Sequence, residues 1–178
     1  VAVYRPGLIG GHSRRGTTNT ADLMSTLSRA CVLLGAVPDL DVMVDIVPVD
    51  YVSRAIVHLS LQPGSFGQTF HLAAPQRWAY RELVDWVRAQ GFNLALLPYE
   101  SWRDHLLGLA RQFGGGEWGA FLPLLEEAEP DQIYLPAFDC RNALAGLDGS
   151  NIVCPPVGPE LLANYLAYFV AQGWLVVG

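Results

Sequence analysis

The segment from Gly7 to Thr18 holds the densest set of residues able to do chemistry: four glycines, His12, Ser13, Arg14 and Arg15. It follows the β-branched and aromatic run Val1 to Arg5, which reads as a strand ended by Pro6-Gly7. A glycine-rich loop after a strand invites a dinucleotide reading, in which backbone amides approach a pyrophosphate at a helix N-terminus. The context is against it. A step of three from Gly10 lands on Ser13 where a third glycine is required, and the next helix begins only near Ala21. What remains is a surface loop or a loop lining a ligand cleft.

The other reactive residue types are scattered. His12, His58, His71 and His105 share no metal-ligand spacing. Cys31, Cys140 and Cys154 are odd in number and form no CxxC pair, so they read as small buried hydrophobes in a reducing, cytoplasmic setting. All 11 basic residues are arginine and none is lysine. For this chain acting alone, that excludes Schiff-base chemistry and Walker A phosphate binding. A net charge of −6 without clustered positive charge speaks against nucleic acid as a partner.

The elements that must position these residues follow from composition and pattern. Of 178 residues, 51% are hydrophobic and only 16% charged, which fits a folded chain with a large core. No apolar stretch nears the roughly 18 residues that span a bilayer, and the N-terminus shows no signal peptide. A helix capped by Asn19 or Thr20 is expected from about Ala21 to Leu34, stopped by Gly35. Strands are expected over Asp41–Val47, Gln68–Ala73 (buried on both faces) and Asn93–Pro98. Helices are expected over Tyr51–Leu61 with Asp50 as cap, and over Tyr80–Gln90, Glu100–Phe113, Trp118–Ala128, Arg141–Leu147 and Glu160–Gln172. Gly114-Gly115-Gly116 reads as a hinge. Residues 1–75 are thus mixed α/β and 76–178 mainly helical, within a single lobe over 1–178.

The string Tyr4-Arg5-Pro6-Gly7-Leu8-Ile9-Gly10-Gly11-His12-Ser13, with Gly16, Asn19 and Asp22, resembles the late segment of extended short-chain dehydrogenase/reductases. The likeness is nearest to the terminal thioester reductase domain of non-ribosomal peptide and polyketide synthases, a relative of carboxylic acid reductases. Pro48-Val49-Asp50-Tyr51-Val52 with Ala55-Ile56, Phe70-His71-Leu72-Ala73, Phe138-Asp139-Cys140-Arg141-Asn142 and Cys154-Pro155-Pro156 continue it in order. Arg14 or Arg15 stands where that family often has threonine. The glycine-rich fingerprint and the Ser/Thr with Tyr-x-x-x-Lys of such enzymes are absent from this sequence.

The resemblance therefore implies the C-terminal part of an extended reductase: last Rossmann strands plus a mainly helical substrate lobe, with the N-terminal cofactor core absent. It implies NADP(H) as cofactor of the complete enzyme, no cofactor on this chain alone and no catalytic residue here. Pro6, Gly7, Leu8 and Ile9 would line the nicotinamide end; the plainer reading is a turn. His12 and Ser13 would face the substrate, and Asn19 and Asp22 would shape the channel mouth or simply cap a helix. Trp102 and Trp118 would wall an acyl or pantetheine channel or pack in the core. Arg103 and Arg111, eight apart on a helix, would meet the phosphopantetheine of an acyl or peptidyl carrier protein or stay solvated. The implied function is release of a carrier-bound thioester as aldehyde or alcohol. The alternatives are a non-catalytic carrier-docking module and a reductase or epimerase for another substrate such as a nucleotide sugar. With sheet neighbours missing, the isolated piece is expected to self-associate.

Overall fold

The computed structural model describes residues 1–112, 123, 126 and 137–176. In chain order the elements are β1 (Val3–Pro6), β2 (Leu8–Gly10), α1 (Leu23–Leu34), β3 (Ala36–Pro38), β4 (Met43–Val44), β5 (Ile46–Pro48), α2 (Val49–Ser60), a 3-10 turn (Pro63–Ser65), β6 (Thr69–Leu72), β7 (Trp78–Ala79), α3 (Tyr80–Ala89), β8 (Ala95–Leu97), α4 (Tyr99–Gln112), α5 (Arg141–Leu147) and α6 (Pro159–Ala171). The triple-glycine hinge and the helix expected over 118–128 lie outside the described residues, apart from single helical positions at 123 and 126. The chain divides into two compact units.

The first unit comprises Val1–Thr18, Met43–Trp78 and Leu135–Tyr168. In it β1 runs parallel to β6, with Tyr4 opposite Phe70, and β2 runs parallel to β5, with Ile9 opposite Val47. Parallel partners need a long connection, and α2 lies on the chain between β5 and β6. Val52, Ala55 and Leu59 recur at helical spacing and bury one face of α2 against Val47, Phe70, Leu72 and Leu147. Leu59 and Leu72 are fully buried, each contributing roughly 1.5–3 kcal/mol of apolar burial.

The second unit comprises Asn19–Val42, Ala79–Tyr134 and Phe169–Gly178. Here β3 pairs in parallel with β8, and α1 packs on α4 through Ala30, Tyr99, Trp102 and Leu106. Gly35 takes the left-handed conformation at φ 66° and donates to the Cys31 and Val32 carbonyls, so it ends α1 as expected.

Several expectations need correction. The Gly7–Thr18 loop is not wholly irregular, because Leu8–Gly10 forms β2. The strand expected over 41–47 is two short pieces, interrupted at Asp45, whose side chain turns inward. Asp22, not Asn19 or Thr20, is the N-cap of α1. Pro48 precedes α2 as its N-cap without a side-chain bond, and Asp50 sits in the first turn bonded elsewhere. β6 is not buried on both faces: Phe70 and Leu72 are buried, while Thr69 and His71 are half-exposed.

Candidate functional site

Pro6 and Gly7 lie at the carboxyl ends of the parallel strands β1 and β6, the place where open α/β sheets take ligands, and Leu8 and Ile9 open β2 just beyond. Gly7 N–H donates to the Leu72 carbonyl at 3.0 Å and so fixes the turn to β6. Past it, Leu8 and Ile9 carry large apolar side chains that are 37% and 42% exposed. Near the same end of β6, a cleft of about 330 Å³ is lined by Tyr51, Ala73, Cys140, Leu147 and Cys154, among others. Burial raises the Cys154 thiol to about 12, with the Asp45, Cys140 and Asp50 charges adding to it. Cys140 is raised too, chiefly by burial, so neither sulfur is an activated nucleophile.

The loop beyond β2 is latched from two sides of its own unit. Ser13 donates from N–H and Oγ–H to the two oxygens of Asp50, at 2.7 and 2.8 Å. Burial pushes the Asp50 carboxyl up, but these bonds, a backbone bond within its own residue and the neighbouring His12 outweigh it, and the net shift is downward. From α6, Asn164 donates to the Ser13 carbonyl at 2.8 Å and the Tyr165 hydroxyl to the Gly11 carbonyl at 3.0 Å. Burial, then the charges of Asp50 and Cys154, raise the Tyr165 phenol. The loop closes on itself through His12 N–H to Thr17 O and Gly16 N–H to His12 O, both 2.9 Å.

Ser13, His12 and Asp50 have the residue types of a hydrolase triad but not its geometry. Ser13 Oγ is bonded to Asp50, not to His12. His12 Nδ1 accepts from Arg14 N–H at 3.2 Å and lies 3.8 Å from Asp50 Oδ1. Two acceptors cannot share a hydrogen bond, so neutral His12 carries its proton on Nε2 and offers it as a donor. Among the described residues the trio is a latch that leaves the His12 Nε2–H as a donor.

The remaining sequence candidates sit in the second unit or outside the described residues. Asn19 accepts from Ala21 N–H, and Asp22 caps α1 by accepting from Ser25 N–H at 2.7 Å. Trp102 is 5% exposed within the α1–α4 core, its indole beside the Cys31 thiol. Arg103 lies 4.0 Å from Asp104, and Arg111, mostly exposed, lies 3.6 Å from Glu126. Trp118 is outside the described residues. Sequence reasoning missed Asp45, Asn164 and Tyr165. A signal existed for each: an acid inside the apolar run Met43–Val47, and an Asn-Tyr pair in the middle of a mainly apolar last helix.

Comparison with known proteins places this geometry. Residues 1–56 match the family described as "NAD_binding_4: Male sterility protein". Among curated proteins, the isonitrile lipopeptide synthase of Streptomyces coeruleorubidus is 33% identical over 185 aligned residues, covering 98% of this chain and 12% of the synthase. The L-2-aminoadipate reductase of Saccharomyces cerevisiae is 29% identical over 187 residues, covering 97% of this chain and 13% of that protein. Among solved structures, the terminal R domain from the myxalamid PKS-NRPS pathway superposes with a TM-score of 0.89 at 38% identity, over 99% of this chain and 45% of that domain. The reductase domain of a Mycobacterium tuberculosis non-ribosomal peptide synthetase shares the fold at 21% identity and TM-score 0.73, over 98% of this chain and 46% of that one. The chain therefore spans less than half of the solved domains and about an eighth of these two synthetase-scale relatives.

Proposed function

We propose that this chain, which matches the C-terminal part of the terminal reductase domains of peptide and polyketide synthases, is the substrate-binding and carrier-docking part of an NADP(H)-dependent thioester reductase. The observation that carries this reading is the match to the myxalamid R domain over 99% of the chain at 38% identity. The parallel α/β unit with helices packed beside it is the architecture expected for that part of the domain.

The residues at the β1 turn fit a nicotinamide. Leu8 and Ile9 offer an exposed apolar face just past the end of β1, and a Cβ at Gly7 beneath them would crowd the Asp45 carboxylate. Pro6, Gly7, Leu8 and Ile9 would hold that end of the cofactor, which when bound supplies a hydride to the thioester carbonyl. The latched loop presents Ser13 and the His12 Nε2–H near the incoming substrate, with His12 as the free donor. Arg103 and Arg111 would meet the phosphopantetheine of an acyl or peptidyl carrier protein. No lysine is present to tune a tyrosine, so the proton for the developing alkoxide comes from a nucleotide-binding half outside this sequence. The C–S bond then breaks, the carrier's phosphopantetheine leaves as the thiol, and the product is an aldehyde, or an alcohol after a second hydride and proton are added.

The test is reconstitution. This chain with the nucleotide-binding half should oxidise NADPH in the presence of a carrier-bound acyl thioester, and the chain alone should not. Turnover by the chain alone, or none by the reconstituted pair, would overturn the proposal.

A further inference from the structure

Asp45 is a buried carboxylate that the preceding account leaves without a role. It is 8% exposed and, among the described residues, in no ion pair. Its Oδ1 accepts from the Ala74 N–H at 2.8 Å, a bond buried just beyond the end of β6. The same carboxylate forms the wall against which Gly7 lies. A Cβ built on Gly7 would stand 3.1 Å from Asp45 Oδ1 and 3.3 Å from both Cγ and Oδ2. Gly7 is not among the glycines with positive φ, so what a side chain would meet there is this carboxylate, not backbone strain. Because Ala74 holds the carboxylate, Asp45 cannot simply swing aside.

We infer that Asp45 is a positioning residue for the cofactor-facing turn: its carboxylate, fixed by Ala74 N–H, sets where Gly7 rests and hence where Leu8 and Ile9 project. This inference rests on the reading that residues 6–9 face the nicotinamide. A burial role alone would be met better by an apolar side chain, since a buried carboxylate must be compensated. Its placement between the ends of β1 and β6 lets one group fix both.

The test uses the complete reductase, with the nucleotide-binding half present, and reads KM for NADPH separately from kcat and from the melting temperature. Asp45→Ala should raise KM for NADPH about tenfold, the scale of coupling between residues in contact. Asp45→Asn, which keeps an acceptor for Ala74 N–H and nearly the same volume, should restore KM to within about threefold. Gly7→Ala should raise KM as Asp45→Ala does, and the double variant should be no worse than either single one, because the truncated side chain makes room for the new methyl. An unchanged KM in a folded Asp45→Ala protein, or additive effects in the double variant, would overturn the inference. If the unaltered reductase neither binds nor oxidises NADPH, the functional reading itself falls and this inference with it.

Discussion

Replacing Gly16 by alanine tests whether the loop is truly latched to α6. Gly16 sits at φ 67°, and a Cβ there would overlap the Asn164 carbonyl oxygen and stand 2.6 Å from its carbon and 2.9 Å from Tyr168 Cβ. A left-handed alanine costs roughly 1–2 kcal/mol in conformation, and forcing a methyl against helix backbone adds roughly 1–3 kcal/mol. Gly67 is the matched control. It has φ 76°, lies in the same unit, and nothing stands within 4 Å of its Cβ position. Gly67→Ala should therefore pay the conformational cost alone. At about 2–4 °C per kcal/mol for a chain of this size, Gly16→Ala should melt roughly 4–20 °C lower and Gly67→Ala roughly 2–8 °C lower. Circular dichroism melts of both variants read the difference. Equal shifts would refute the contact between the loop and α6.

Two further outcomes follow from the same unit. Asp50→Ala removes the acceptor for both Ser13 donors and should cost about 1–3 kcal/mol near neutral pH. Because the folded Asp50 carboxyl titrates below its ordinary value of 3.8, its stabilisation is complete above that value and is lost as pH falls through the lower, folded one. Urea midpoints should thus separate the variant from the parent at pH 6 and converge at strongly acid pH, and a gap independent of pH would contradict the latch. The isolated chain should also self-associate through the open edge of β1. Light scattering should show species larger than a monomer that the nucleotide-binding half dissolves, and a clean monomer at high concentration would count against it.

What the sequence made legible was what local chemistry decides. The bounds of α5 were visible, and Gly35 was the stop of α1, because a positive-φ glycine after a periodic run is a local signal. β2 and β3 were missed because β2 lies inside the glycine loop and β3 directly after the stop of α1, where local signals read as loop, and each exists through a distant partner, β5 and β8. Asp50 illustrates the limit at the site. Local rules make it a helix cap, yet Ser13, 37 positions away, takes both of its oxygens. The glycine loop lacks the spacing of a phosphate cradle. Its glycines serve contacts that only the tertiary fold reveals: Asp45 at Gly7, and Asn164 and Tyr168 at Gly16.

The two edges of the β1–β6 pair are finished differently, and the difference bears on how the chain works. Since Gln68 and Leu72 carbonyls point to β1, those of Thr69 and Ala73 point away from it. That outer edge is covered by the run Phe138–Asn142. Asn142 donates to Thr69 O at 3.0 Å and Cys140 Sγ to Ala73 O at 3.8 Å, while the His71 ring meets the Asp139 carbonyl at 3.2 Å and the Phe138 ring at 5.4 Å. Arg141 pins the same run by chelating Asp139, whose carboxyl is lowered to about 2 first by that side-chain hydrogen bond. The motif thus acts as an edge cover for β6. β1 has no such cover: Tyr4 N–H and C=O face away from β6, Val3 is 40% exposed, and among the described residues β1 pairs with no other strand. A parallel pair is ordinarily the interior of a larger sheet. Of the two, β1 rather than β6 is therefore the strand to which a further strand could add.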